Sequence, residues 1–165
     1  MEWSRIEKEM HELEEFIGYR FSNCSLLADA MKAELLEKQD GKNNKEYSND
    51  ALACFGDSII KFLITKYFYN QGKRKGDITN EKSKRENNEV FHKIADEYRI
   101  LEYAYNDKHF AEDNPPDHEK VRSEGHDPYI EAIAAAIYLD GGWEKVGKWF
   151  EDWLFPKLEQ HKSKE

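Results

Sequence analysis

The chain has 165 residues, 36% of them charged and 39% hydrophobic, with a net charge of -9 and a pI near 5.3. That length fits one ordinary domain, taken here as residues 1–165, and every apolar run is broken by charge well short of the ~18 residues that a membrane span needs. The acidity excludes a protein that holds nucleic acid by bulk attraction alone, because phosphate neutralisation requires Lys and Arg, although basic runs remain at residues 73–75 and 82–85.

Residues 1–10 are charged and amphipathic, without the apolar stretch of a secretory signal, so a cytoplasmic protein is expected. Over residues 3–17 the apolar positions Trp3, Ile6, Met10, Leu13, Phe16 and Ile17 recur at three- and four-residue steps, which predicts a helix stopped by Gly18. Ser22 or Asn23 can cap a second helix with Leu26, Leu27, Ala30, Met31 and Leu35 buried, and residues 40–49 are polar loop. Residues 51–69 are too apolar for a surface helix and too long for a strand, which predicts a central helix buried on most sides. Asn70, Gln71 and Gly72 end it. Thr79 can cap a further helix reaching Glu97, polar in its first half and apolar at Val90, Phe91, Ile94 and Ala95. Residues 107–125, with adjacent prolines and many charges, predict a long surface loop. Two helices follow, over residues 128–139 and 143–158, the latter with Trp143, Val146, Trp149, Phe150 and Leu154 on one face. No period-two pattern appears, so the fold class is all-α, a helical bundle around a central buried helix.

Two acids stand out. Asp57 lies among Leu52, Phe55, Ile59, Ile60 and Leu63, and Glu131 between Ile130 and the apolar run 132–138. An unpaired buried charge there would cost several kcal/mol. Either Asp57 pairs with a Lys or Arg or faces water, or the two helices pack together and the two acids share a hard cation such as magnesium. Asp50 lies seven residues before Asp57 and Asp127 four before Glu131, so four carboxylates can line one cleft. Asp127 is equally a helix N-cap ahead of Pro128, and Asp140 before Gly141 and Gly142 reads as a helix end. The histidines lack nucleophile partners, which leaves a hydrolase triad unsupported. Cys24 and Cys54 have no second Cys or His at metal spacing, so both read as reduced core residues and zinc is not expected.

The stretch Asn49-Asp50-Ala51-Leu52-Ala53-Cys54-Phe55-Gly56-Asp57 resembles the ribonuclease III signature Asn-Glu-x-Leu-Glu-Phe-Leu-Gly-Asp. Glu131-Ala132 through Ile137-Tyr138-Leu139-Asp140-Gly141-Gly142 resembles that family's second block. Gly18-Tyr19-Arg20-Phe21 with Leu26-Leu27, and Asn88 with Ile94-Ala95, match in order. The resemblance implies the ribonuclease III endonuclease-domain fold and a homodimer that cuts double-stranded or structured RNA. It implies magnesium, with manganese as a substitute, at Asp57, Glu131 and Asp127, and Asp57, Glu131 and Asp50 as catalytic residues, with no small-molecule cofactor.

The chain departs from the pattern where Ala53 replaces the second glutamate, where Asp50 shortens the first and where Pro128 replaces an aspartate. Lys32-Ala33 also stands in place of the family's Thr-His pair. Two kinds of family member fit such departures. One is an inactive RNA-binding or assembly protein. The other is the compact class Mini-ribonuclease III, which also has Ala at that glutamate and lacks a separate double-stranded RNA-binding domain. Under either, Lys82, Lys84, Arg85 and Asn88 are candidates for RNA phosphate contact, against the plainer alternative of a solvated polar face. A helical interaction protein without RNA business is the third expectation, resting on the acidity alone.

Overall fold

The computed structural model describes residues 2–36, 46–106 and 128–164. The loop expected at residues 107–125 and the candidate ligand Asp127 lie outside them, as does most of the loop at 40–49. Helix α1 (Glu2–Ile17) buries Ile6, Met10, Leu13 and Ile17 of the stripe its spacing predicts, while Phe16 is half-buried and Trp3, in the first turn, is exposed. Gly18 ends it at φ +68, its N–H bonded to the Glu14 carbonyl at 3.0 Å, a left-handed exit that only glycine adopts cheaply.

Helix α2 (Cys24–Met31) is capped by Asn23, whose side chain accepts the Ser25 N–H at 3.2 Å. It ends earlier than the apolar pattern suggests. Lys32 is extended, Ala33 N–H donates to the Tyr105 carbonyl, and isolated bridges join Lys32 to Tyr105 and Leu35 to Tyr47. These tertiary bonds replace the helical ones, so Leu35 is exposed, not buried as expected.

Helix α3 (Asp50–Asn70) is the central helix, with Ala53, Gly56, Ile59, Ile60, Leu63, Ile64 and Phe68 buried. It is less enclosed than its composition implies: Cys54, Phe55, Phe62 and Tyr69 lie exposed along one side. Cys54 is therefore a surface thiol, contrary to expectation, whereas Cys24 is buried. Gln71 and Gly72 close α3, with Gly72 at φ +76.

The single helix expected up to Glu97 is two. Helix α4 (Lys75–Arg85) and helix α5 (Asn88–Glu97) are broken at Glu86 and Asn87, and Asn87 caps α5 by accepting the Val90 N–H at 3.0 Å. Thr79 is no cap; its hydroxyl donates back to the Lys75 carbonyl. A 3₁₀ turn (Ile100–Tyr103) follows.

Helix α6 (Tyr129–Trp149) absorbs the expected break at residues 140–142 as a kink, with Gly142 at φ +73 and ψ -169. A π-helical turn (Phe150–Leu154) leads to helix α7 (Phe155–His161). Asp140, a helix-end residue by sequence, is a tertiary cap: its carboxylate accepts N–H bonds from Ser22 at 3.0 Å and Asn23 at 2.9 Å and the Tyr19 hydroxyl at 2.8 Å. It thereby fixes the α1–α2 corner to the kink. No helix among the described residues is long and apolar enough to cross a membrane.

Candidate active site

Helices α3 and α6 are the most extensively packed pair, and small residues set their distance. Gly56 faces the backbone of Glu131: a Cβ built on it would lie 1.6 Å from the Glu131 carbonyl oxygen and 3.2 Å from the Ala135 nitrogen. Ala132, Ala135 and Ala136 on α6 are wholly buried, so neither helix carries a bulky side chain at the crossing. Gly56 therefore lies against the first turn of α6, where Glu131 sits, and Asp57 is the next residue along α3. Glu131 is 8% exposed, and the positive end of its own helix stabilises the carboxylate.

Asp57 is not the costly buried charge its neighbours suggest. Its side chain is 37% exposed, and Oδ2 lies 2.7 Å from Lys61 Nζ, one turn later on α3. Lys61 also reaches Glu86 Oε1 at 3.2 Å, and these two carboxylates, Asp57 first, raise the ammonium pKa above its ordinary value. Neither Lys61 nor Glu86 was singled out by sequence. The four-residue step from Asp57 to Lys61 was legible as an ion pair. Glu86 became visible only once the break between α4 and α5 turned it toward α3.

Asp50 ties the incoming chain to the start of α3. Its Oδ2 accepts the Tyr47 N–H at 2.6 Å at the start of α3, and seven residues of helix put it roughly 10 Å along the axis from Asp57. Lys82, Lys84 and Asn88 retain solvent exposure. Arg85 does not. It is 2% exposed, with Nη1 2.6 Å from Glu81 Oε2, Nε 2.6 Å from Glu159 Oε1, and its guanidinium over the Phe68 ring at 4.7 Å. The apolar floor that Phe68 and Phe155 supply beneath it makes Arg85 a joint between α4 and α7, so it leaves the set of phosphate contacts.

The donor chemistry suits a hard divalent cation. Asp57 and Glu131 are both carboxylates, and Glu86, paired with Lys61 through Oε1, keeps Oε2 buried without a hydrogen bond among the described residues. The described residues do not gather three ligating side chains around the pair, which leaves most of such an ion's shell to water and phosphate oxygens.

Beside the acids, α3 and α6 carry a row of exposed or half-exposed aromatics. Phe55 meets Tyr138 edge-on at 5.4 Å, Tyr138 meets Trp143 at 5.1 Å, and Trp143 meets Phe62 at 5.0 Å. Exposed Leu139 lies in the same stretch of α6. A hollow of about 410 Å³ bounded by Phe62, Tyr67, Trp143 and Phe150 continues the row.

The sequence matches the ribonuclease III domain family over residues 50–142. It is 27% identical over 150 residues to ribonuclease 3 of Campylobacter fetus, covering 86% of this chain and 59% of that protein. It is 30% identical over 135 residues to ribonuclease 3 of Clostridium beijerinckii, covering 81% and 55% respectively. The chain thus spans less than two thirds of the length of these relatives. The fold superposes on the nuclease domain of ribonuclease III from Campylobacter jejuni with a TM-score of 0.66 at 20% identity, covering 90% of this chain and 95% of that one, in a structure described as flexible in a region involved in dimer formation. An all-helical fold of that shape, with both sequence blocks meeting at the α3–α6 crossing, places this chain in the ribonuclease III domain family.

Proposed function

We propose that this chain is a metal-dependent endoribonuclease that hydrolyses phosphodiester bonds of double-stranded or structured RNA as a homodimer in the cytoplasm, with residues 1–165 acting as one catalytic unit. The observation that carries this reading is the Gly56–Glu131 backbone contact, which brings together at the α3–α6 crossing the two sequence blocks that carry Asp57 and Glu131. Asp57 and Glu131 would hold magnesium or manganese, with Asp127 as a further ligand. The bound cation would supply an activated water and charge stabilisation on the departing 3′ oxygen. Glu131, buried and fixed by α6, orients from the protein side, while Asp57 presents its carboxylate to solvent, where a phosphate arrives. Lys61 keeps Asp57 in place between turnovers. Lys82, Lys84 and Asn88 on α4 and α5 contact the RNA backbone, with Asp50 supporting the start of α3.

The homodimer rests on the aromatic row. Phe55, Phe62, Leu139 and Trp143 are each more than 40% exposed and contiguous with the acids, and a partner surface would remove them from water. A second copy brought there would align two acidic sites, one for each strand.

A non-catalytic RNA-binding protein is the second reading, favoured by two observations. Ala53 is buried, so no side chain there can reach a cation, and Lys61 already neutralises Asp57 at 2.7 Å. The two readings part in one experiment. A labelled RNA duplex is incubated with the protein and magnesium or manganese, alongside Glu131→Gln. Cutting by the parent alone supports the nuclease; binding by both without cutting supports the second reading.

A further inference from the structure

We propose that His11, Glu14 and Cys24 form a second metal site, selective for a zinc-class cation, which clamps α1 to the start of α2. These residues are separated in sequence by a turn and a corner, yet one ligand atom from each lies within 4.8 Å of the other two. In a tetrahedral zinc site the ligand atoms stand about 3.6 Å apart, so the three atoms need to draw together by about 1 Å. His11 and Glu14 are three apart on α1 and share a face. Asp140 draws the α1–α2 corner in and thereby seats Cys24, the first residue of α2, against them.

The local contacts suit this use. Glu14 is buried, its Oε1 accepting the Phe21 N–H at 3.3 Å and its Oε2 lying 3.3 Å from His11 Nδ1. The other ring nitrogen of His11 faces Glu7 Oε1 at 3.9 Å. With Nδ1 on the cation, Nε2–H is left on the side of Glu7, the kind of carboxylate neighbour that orients a ligating imidazole. Exposed His11 and Glu7 form the mouth, while Glu14 and Cys24 form the floor. A fourth position is left for water.

Chemistry selects the ion. One thiolate, one imidazole and one carboxylate suit Zn2+ or Co2+ and do not suit Mg2+, which demands oxygen ligands, so this site does not compete for the cation of the cleavage reaction. Without a cation, burial, then Glu14 and Glu7, push the Cys24 thiol up to about 11. A divalent ion reverses that balance. On binding, the Cys24 S–H bond is lost, its proton goes to solvent, and the sulfur electron pair is donated to the metal. The competing account is that the His11–Glu14 contact is complete without an ion, in which case no such cation is taken up.

The test uses the full chain with Cys54→Ser, which removes the exposed thiol, in excess magnesium. Co2+ is titrated in while the near-ultraviolet thiolate-to-cobalt band and the visible tetrahedral bands are followed. One ion per chain is expected, with both signals lost in His11→Ala and Cys24→Ser and retained in Asp57→Asn. Zn2+ should also raise the melting temperature of the parent and leave that of His11→Ala unmoved. Because His11 is exposed, its variant folds even if Cys24→Ser does not. The absence of a thiolate band in the Cys54→Ser protein, or its survival in His11→Ala, overturns the proposal.

Discussion

Gly56 and Glu131 touch through their backbones. There is no room for even a methyl group between them, since a Cβ on Gly56 would fall 1.6 Å from the Glu131 carbonyl oxygen. Gly56→Ala must therefore push α3 and α6 apart along their whole contact. We expect a loss of about 3 kcal/mol by chemical denaturation, together with loss of RNA cleavage, because Asp57 and Glu131 separate. Wild-type stability in this variant would contradict the crossing.

Asp57→Asn should abolish cleavage while changing stability by no more than about 1 kcal/mol, since the Asp57–Lys61 pair is partly solvated and such pairs contribute little. Glu131→Gln should behave likewise in activity. Single-turnover cleavage and denaturant melts, run on the same preparations, check both expectations. Residual cutting within tenfold of the parent would move the chemistry elsewhere.

The basic residues at 82–85 should divide by burial. Lys84→Glu should weaken duplex RNA binding and lower the slope of log affinity against log salt by about one, with the fold intact. Arg85→Met should instead destabilise by about 2 kcal/mol, because Glu81 and Glu159 are left facing each other across an apolar floor. Arg85 also holds the Glu81 carboxyl below its ordinary pKa. Its contribution is present at neutral pH and lost on acidification through the lowered value.

Cys24 makes an alkaline prediction. Its thiol titrates near 11 in the folded protein, above its unfolded value, so the unfolded chain releases the proton first as pH rises. Stability is full below about pH 9 and declines toward 11, by about 2 kcal/mol from this group. Tyr19, whose hydroxyl is raised by burial and then by Asp140, adds in the same direction. Melting temperatures from pH 8 to 11 check this, and Cys24→Ala should flatten part of the decline.

Phe62→Glu and Trp143→Glu test the aromatic row. Both residues are exposed in the single chain, so neither change should unfold it, and each should convert a dimer to a monomer by sedimentation. A parent protein that is already monomeric at micromolar concentration would remove the row as an interface.

The helical class, α1 and the length of α3 were legible because they rest on periodicity, and the family because it rests on two short motifs. What escaped had a tertiary cause. The span from Thr79 to Glu97 read as one helix because no local signal distinguishes the Asn87 cap from an ordinary polar helix residue. Leu35 read as buried because its helix was expected to continue, whereas the Tyr105 backbone captures the chain at Ala33. Arg85 looked like its lysine neighbours in sequence. Only the arrival of α7, from 74 residues away, buries it. Cys24 looked solitary for the same reason, because its neighbours approach from another helix.

The final turns are stitched to the end of α4 by Glu159 to Arg85 and by Ser163 N–H to the Lys84 carbonyl at 2.8 Å, and to the end of α5 by His161 to Glu97. Anything joined after the last turn therefore emerges beside Lys84, one of the lysines proposed to contact RNA. An affinity handle or fluorescent reporter placed there would crowd the proposed RNA-contact face, and a protease nick before Glu159 would remove the Arg85–Glu159 tie that holds α4 to α7. Labels for binding studies belong at the opposite terminus, ahead of α1.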